Sequence, residues 1–210
     1  MREAVSLSPR DATLDYYRQH APGYRFDGTG SHHRHLDPFL DRLKPRARIL
    51  ELGCGTGNDA ARMGKRGFMV DATDGTPAMV RKAKERFGIE ARVMRFDELD
   101  TVAKYDAVWA HACLLHVPLA ELPPILSAIR RALRSGGLHF ANFKLRDDEN
   151  PDEGYDLLGR WTNLPDEDWL QTRYAAAGFR IVERERYAGR GSDGVPRDWC
   201  AMTVENPVGR

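Results

Sequence analysis

The sequence predicts an α/β fold, with a seven-stranded, mostly parallel sheet covered by helices on both faces. Short apolar segments alternate along the chain with stretches in which apolar residues recur every three or four positions. This alternation is typical of parallel sheets, because the crossover between two parallel strands is usually a helix. At 210 residues the chain is long enough for one such domain and short for two.

The order of the predicted elements defines the sheet. The first five strands are predicted at residues 48–52, 68–73, 92–96, 107–110 and 137–143, with helices between them at 58–66, 77–87 and 119–133. After these comes a helix at 166–177, followed by two consecutive strands at 179–187 and 199–204. Because a loop rich in glycine joins the last two strands, we expect them to form an antiparallel pair that closes the sheet.

The first thirty residues differ from the rest of the chain. They are polar with scattered aromatic residues, and a short helix at 12–20 is followed by a loop rich in Gly and Pro. We interpret residues 1–30 as an arm or lid and residues 31–210 as the main domain. A helix at 31–43 with Ser31 as its N-cap is predicted to open that domain.

The composition argues against several classes of function. The 32 Lys and Arg residues nearly balance the 31 Asp and Glu residues, so no overall basic field favours a nucleic-acid partner. No apolar run approaches the ~20 residues of a membrane span and no signal peptide is evident, so a cytoplasmic protein is expected. The three cysteines lack the spacing of metal ligands, and neither a disulfide nor a metal site is predicted.

The most informative segment is residues 49–58, an apolar strand that ends in a glycine-rich turn and opens a helix. Glycines in such a turn let the backbone approach a ligand closely and adopt a positive φ. A dinucleotide fingerprint would read GxGxxG, but counting from Gly53 the last position is Asn58. The sequence therefore argues against a nicotinamide cofactor.

An acid after the second strand indicates the kind of ligand. Ligands of open α/β sheets bind at the carboxyl ends of the strands, where an acid on the second strand can accept both ribose hydroxyls. Asp74 follows that strand, whereas the alternative, Asp71, lies inside its apolar run. Asp74 also begins an Asp-Gly-Thr-Pro turn that leads into a helix. Asp74 is therefore predicted to hold a ribose.

Six segments, in this order, resemble the motifs of the class I S-adenosylmethionine-dependent methyltransferases, whose sheet is Rossmann-like. The resemblance runs in register from Arg46 to Lys144 and is strongest to small bacterial enzymes of this family. At Asn142 the chain departs from the pattern of those enzymes. The six segments are residues 51–57, Asp74 with Met79, residues 96–97, 105–110, 115–117 and 133–138.

The resemblance implies a cofactor and a reaction. S-adenosyl-L-methionine would lie on the glycine turn, with Asp74 at its ribose, Asp97 and Glu98 at its adenine amine and the backbone around Ala110 at its methionine end. Its methyl group would pass to oxygen or nitrogen of a small-molecule acceptor, leaving S-adenosyl-L-homocysteine. The implied cofactor-binding residues are Glu51, Gly53, Gly55, Gly57, Asp74, Gly75, Met79, Asp97, Glu98 and Ala110.

Two histidines near the end of the fourth strand, His111 and His116, are candidates for a general base, because imidazole titrates near neutral pH. For His116 a packed structural role is the alternative, since methyl transfer depends mainly on alignment of the reacting atoms. The acceptor is expected to contact the variable segments of the chain. Candidate acceptor-binding residues are Tyr16, Tyr17, Tyr24, Arg160 and Trp161.

Other functions remain open at this point. A nucleic-acid or protein methyltransferase would use the same cofactor, and a protein that binds S-adenosylmethionine without catalysis would share its motifs. His32, His33 and His35 suggest metal binding, but neighbouring residues on a helix point in different directions, and a solvated surface is the simpler interpretation. We expect a monomer or homodimer that has a small-molecule acceptor as its partner and binds neither nucleic acid nor membrane.

Overall fold

A computed structural model describes residues 8–24, 34–147 and 151–209 of the chain. Nine strands are described within these ranges: β1 Arg48–Leu52, β2 Met69–Asp74, β3 Arg92–Val93, β4 Tyr105–Ala110, β5 Leu133–Lys144, β6 Glu153–Tyr155, β7 Trp161–Asn163, β8 Arg180–Arg190 and β9 Pro196–Glu205. The helices are α1 Pro9–His20, α2 Leu36–Asp41, α3 Asn58–Lys65, α4 Pro77–Phe87, α5 Leu122–Ala132 and α6 Glu167–Ala176.

Seven of the strands form one sheet in the order β3-β2-β1-β4-β5-β9-β8. The strands β1 to β5 are parallel, whereas β9 pairs antiparallel with both β5 and β8. The predicted fold class is therefore confirmed, including the antiparallel pair at the end of the chain. Among the described residues, no helix is both long enough and apolar enough to cross a bilayer.

The two faces of the sheet carry separate apolar layers, because successive side chains of a strand point to opposite faces. In β1, Leu50 and Leu52 pack in a cluster with Ile125 and Ile129 of α5. Their neighbour Ile49 packs in the opposite cluster, which contains the apolar face of α2 and Met63 of α3. Helices thus cover both faces, and the carboxyl ends of the parallel strands stay open at one edge.

Local signals explain where the helices begin and end. The side chain of Ser8 accepts a hydrogen bond from the Asp11 backbone N–H and caps α1. Helix α4 begins at Pro77, whose missing N–H is harmless in a first turn, and it ends at Gly88 with φ of 68°. The boundaries predicted for α4 and β1 agree with the structure residue for residue.

Three sequence expectations are corrected. Helix α2 begins at Leu36 and has six residues, so the helix predicted from Ser31 is shorter, and Ser31 itself lies outside the described residues. Strand β3 has two residues instead of five, because it lies at the sheet edge, pairs only with β2, and gives way to a 3₁₀ turn at Phe96–Glu98. The β6–β7 hairpin was not predicted, since strands of three residues show no measurable alternation.

Candidate active site

A cavity of about 670 Å³ opens at the carboxyl ends of β1, β2 and β4. Ligands of open α/β sheets bind at this edge, which agrees with the position expected from the sequence. The cavity is also lined by α1, through Leu14 and Tyr17, and by Gly191 and Ser192 of the β8–β9 connection. Two segments far apart in the sequence thus close over the strand ends.

The glycine turn after β1 has the backbone that only glycine adopts easily. Gly53, Gly55 and Gly57 have φ of 66°, 52° and 84°. A Cβ at Gly53 would lie 2.6 Å from Cβ of Cys113, so a side chain is also excluded there by space. Gly53 and Gly55 line the cavity, whereas Gly57 does not, because it packs against Ala83 of α4.

Asp74 connects the end of β2 to the glycine turn. Its carboxylate accepts hydrogen bonds from the backbone N–H of Gly55 at 2.9 Å and of Thr76 at 2.8 Å. Burial raises the pKa of Asp74, and these N–H groups oppose that increase. Asp71, the alternative acid, does not line the cavity and accepts a hydrogen bond from the Tyr105 hydroxyl at 2.9 Å.

The residues predicted for the adenine and methionine ends are separated by the structure. Gly75, Met79 and Asp97 line the cavity. Glu98 does not, because its carboxylate accepts a hydrogen bond from the Arg95 backbone N–H at 2.7 Å and caps the turn. Ala110 is fully buried in β4, and Ala112 takes its place in the lining.

Asp97 forms an ion pair with Arg10 of α1, and the same guanidinium also pairs with Glu121. Arg10 lines the cavity and was missed by sequence reasoning, since nothing local to residue 10 indicates partners so far along the chain. The ion pairs hold the first turn of α1 beside the residue predicted to face adenine.

His116 is held by two hydrogen bonds. Its Nδ1 lies 2.6 Å from the carbonyl oxygen of Trp161, so Nδ1 must carry the proton and donate. Its Nε2 lies 3.0 Å from the hydroxyl of Tyr17 and accepts from it. Burial, with a contribution from the nearby Arg160, lowers the pKa of His116 to about 3. His116 is therefore neutral near pH 7, with both ring nitrogens engaged.

His111 has a different environment. Its Nδ1 lies 3.4 Å from Oδ2 of Asp59, and that oxygen also accepts a hydrogen bond from Trp109 Nε1 at 2.8 Å. The side chain of His111 lines the cavity and is 19% exposed. A carboxylate that faces Nδ1 leaves Nε2 on the opposite edge of the ring, which is the arrangement of an oriented base.

Three of the five candidate acceptor-binding residues, Tyr17, Tyr24 and Arg160, line the cavity. Tyr16 stacks on His20 within α1, with ring centroids 4.1 Å apart, and does not line it. The ring of Trp161 packs edge-on against Tyr155 and also lies outside the lining.

Arg160 joins three segments of the chain around the cavity. Its guanidinium donates to Asp156, to the Tyr17 hydroxyl at 3.0 Å and to the Ser192 hydroxyl at 2.6 Å. Burial opposes the charge of Arg160, but Tyr17 and Asp156 outweigh it and raise the pKa of the guanidinium. An arginine in a variable segment was the only sequence signal for this position.

Further lining residues come from the end of β5 and the terminal strand pair. The Asn142 side chain accepts from the Ala112 backbone N–H at 2.6 Å and donates to the Tyr187 hydroxyl at 3.0 Å. Lys144 forms a buried ion pair with Asp193. The departure at Asn142 was visible in the sequence, but its partners were not. Among the described residues, no group of three or more His, Cys, Asp or Glu side chains is placed to hold a metal.

The fold and a family match define the class of protein. Residues 49–137 match the family model described as a methyltransferase domain. Together with the sheet topology, this match identifies the chain as a class I S-adenosylmethionine-dependent methyltransferase and confirms the resemblance seen in the sequence.

Individual proteins can then be compared. The 1,6-didemethyltoxoflavin-N1-methyltransferase of Burkholderia thailandensis, solved with 1,6-didemethyltoxoflavin and S-adenosylhomocysteine bound, has a TM-score of 0.76 and 21% identity, and the superposition covers 98% of this chain and 93% of that one. The ubiquinone biosynthesis O-methyltransferase of Xanthomonas oryzae is 32% identical over 101 residues, which is 45% of this chain and 41% of the relative.

A highly reducing polyketide synthase of Emericella nidulans is 28% identical over 177 residues, or 75% of this chain. The chain spans only 7% of the length of that synthase. The likeness is therefore to one part of a much longer protein.

Proposed function

We propose that the protein transfers the methyl group of S-adenosyl-L-methionine to an oxygen or nitrogen atom of a small-molecule acceptor. The observation that carries this proposal is the single cavity that runs from the glycine turn to Tyr17, His111 and Arg160. Its volume of about 670 Å³ lies within the range of roughly 300–1,000 Å³ that is usual for small-molecule sites. Such a volume suits a cofactor with a modest acceptor.

The residues at the glycine turn fit the cofactor. Glu51 is buried beside the turn, and its Oε2 has no hydrogen-bond partner among the described residues, which suits a ligand that brings a donor. Gly53 and Gly55 let the backbone approach a ligand closely. Each oxygen of Asp74 accepts one backbone N–H and can accept a further hydrogen bond, so Asp74 would hold the ribose.

The chemistry that the bound cofactor supplies is a methyl group on a positively charged sulfur. The task of this chain is then to hold the acceptor in line with that bond, an effect worth up to about 7–11 kcal/mol in favourable cases. Tyr17 and Arg160 stand over the acceptor end of the cavity and are fixed by their mutual hydrogen bond. They would keep the acceptor in place and water out.

Proton removal from the acceptor is assigned to His111. The ring is oriented by Asp59 and partly exposed in the cavity, as a general base requires. His116 lacks these properties, since both of its nitrogens are already engaged. We therefore treat His116 as a residue that positions Tyr17.

The proposal includes the setting of the reaction. We expect a cytoplasmic monomer or homodimer with a small-molecule partner, and we expect no nucleic-acid partner because the charge of the chain is balanced.

Methyl-labelled S-adenosylmethionine tests this function. The protein is incubated with a cell extract that has been separated into low-molecular-weight, protein and nucleic-acid fractions. We expect label in the low-molecular-weight fraction, and a variant with Asp74→Asn as control should transfer much less. Label found only in protein or nucleic acid would overturn the small-molecule assignment, and the absence of any binding of S-adenosylhomocysteine in calorimetry would overturn the cofactor.

A further inference from the structure

Three carboxylates come together where the glycine turn meets the sheet. Glu51 belongs to β1, Asp74 ends the neighbouring β2, and Asp59 lies in the first turn of α3. The three residues line the same cavity and are 3%, 9% and 6% exposed, respectively. The path of the chain through the glycine turn therefore buries three acids around one point.

The three acids are not equally satisfied. Asp74 accepts two backbone N–H groups, and Asp59 accepts from Trp109 and faces His111. Glu51 accepts one backbone N–H, from Ala60, while its Oε2 has no partner among the described residues. In the same part of the chain, no Lys or Arg forms an ion pair with Glu51 or Asp74.

The surroundings of Glu51 disfavour its charged form. Burial raises the pKa of Glu51 well above its usual range, the carboxylates of Asp59 and Asp74 raise it further, and the Ala60 N–H opposes them. The other titratable neighbours are the thiols of Cys54 and Cys113, whose own pKa values are raised by burial. They are neutral near pH 7 and do not offset the negative charge.

We propose that Glu51 binds the α-ammonium group of the cofactor as a carboxylate, and that it releases a proton to solvent when this group arrives. This inference rests on the proposed function. In the step, the bond between the Glu51 carboxyl oxygen and its proton breaks, the proton passes to the buffer, and the ammonium keeps its three hydrogens. The ammonium is the matching group because Oε2 needs a hydrogen-bond donor, which a sulfonium lacks.

Proton release makes binding depend on pH in a defined direction. Below the pKa of Glu51 in the free protein, the affinity for a ligand that carries the ammonium rises with pH, by up to about tenfold per pH unit. Above that pKa the affinity becomes constant. A ligand that shares the nucleoside but lacks the amino-acid part should bind with an affinity that does not change in this way.

Calorimetry on the whole chain tests the inference with two commercially available ligands. S-adenosylhomocysteine carries the ammonium, and 5′-methylthioadenosine has the same adenosine and thioether without it. Each is titrated at one mildly acidic pH into buffers of different ionisation enthalpy, which gives the number of protons released. We expect about one proton for S-adenosylhomocysteine and none for 5′-methylthioadenosine, from the charge that Glu51 must acquire.

Two variants accompany the ligands. Glu51→Gln should bind S-adenosylhomocysteine with no proton release and with an affinity that is flat over the same pH range. Glu85→Gln, which changes an exposed acid of α4, should behave like the unaltered protein. The comparison of the two ligands uses the unaltered protein alone and so decides the question even if Glu51→Gln fails to fold.

The outcomes separate this inference from the proposed function. S-adenosylhomocysteine that binds without proton release, or with the same release as 5′-methylthioadenosine, overturns the role of Glu51 and leaves the methyltransferase function intact. Proton release that persists in a folded Glu51→Gln variant overturns it as well. If neither S-adenosylhomocysteine nor S-adenosylmethionine binds, the proposed function fails and the inference fails with it.

Discussion

The hydroxyl of Tyr17 in α1 lies 3.0 Å from Nε2 of His116, which is 99 residues further along the chain. The donors and acceptors in this region form a directed series. Arg160 donates to the Tyr17 hydroxyl, Tyr17 donates to His116, and His116 donates to the carbonyl of Trp161. Each group can fill its place in only one protonation state, so the series fixes His116 as a neutral ring protonated at Nδ1.

We expect His116→Gln to lower the free energy of unfolding by about 1–3 kcal/mol, because a buried hydrogen-bonded group loses its matched partners. Urea denaturation measures this change. Turnover should fall only as far as the unfolded fraction requires. A variant of normal stability with turnover reduced by about 10²-fold or more would instead show that His116 is the base.

The same pair predicts how stability depends on pH. The pKa of His116 is about 3 in the folded protein against 6.5 ordinarily, so the unfolded chain binds more protons below pH 6.5. The contribution of His116 to stability is therefore complete above that pH and is lost as the pH falls towards 3. The slope can reach about 1.4 kcal/mol per pH unit.

Urea denaturation at neutral and at mildly acidic pH checks this dependence. We expect the unaltered protein to lose more stability on acidification than His116→Gln does. Carboxylates, and His35 and His139, whose pKa values are also lowered by burial, are present in both proteins and cancel in the comparison. Equal losses in the two proteins would contradict the neutral, buried state of His116.

The choice between Asp71 and Asp74 is tested by substitution. Asp74→Asn should weaken binding of S-adenosylhomocysteine by about 1.5–3 kcal/mol for each hydrogen bond lost to ribose, as measured by calorimetry. Asp71→Asn is the matched control, because Asp71 belongs to the same strand but pairs with Lys104 away from the cavity. If the control lost affinity while Asp74→Asn kept it, the wrong acid would have been chosen.

The sequence was sufficient for the features that are local in the chain. Strand β1, the glycine turn and Asp74 could be predicted because an apolar run, a row of glycines and an acid at a strand end are all visible within about thirty residues. The resemblance to a family added the order of the strands and the antiparallel pair β8–β9. Both features are confirmed by the topology of the sheet.

Contacts between distant segments could not be predicted. The carbonyl that fixes His116 comes from Trp161, 45 residues away, and belongs to the backbone, which has no sequence signature. Arg10 meets Asp97 over a separation of 87 residues. The roles of His111 and His116 therefore stayed undecided in the sequence, since both are histidines near one strand end and only their partners distinguish them.

The final prediction concerns Arg10 and the release of the cofactor product. Arg10 pairs with Asp97 and Glu121 and anchors the first turn of α1 over the cavity. A ligand under α1 leaves faster when this anchor is removed. Since the pairs are partly exposed, the expected effect is modest, about 1 kcal/mol or less, and corresponds to a rise in the dissociation rate of S-adenosylhomocysteine of about fivefold or less.

Stopped-flow displacement of S-adenosylhomocysteine measures this rate in Arg10→Ala. The matched control is Arg18→Ala, which removes an arginine from the same helix whose ion-pair partner, Asp15, also lies within α1. The control should leave the rate unchanged, because that pair does not connect α1 to the rest of the molecule. High salt should narrow the difference between Arg10→Ala and the unaltered protein, since it screens partly exposed pairs. Equal dissociation rates at low salt would show that α1 does not limit product release, and that its position over the cavity is maintained by Tyr17 and Leu14 alone.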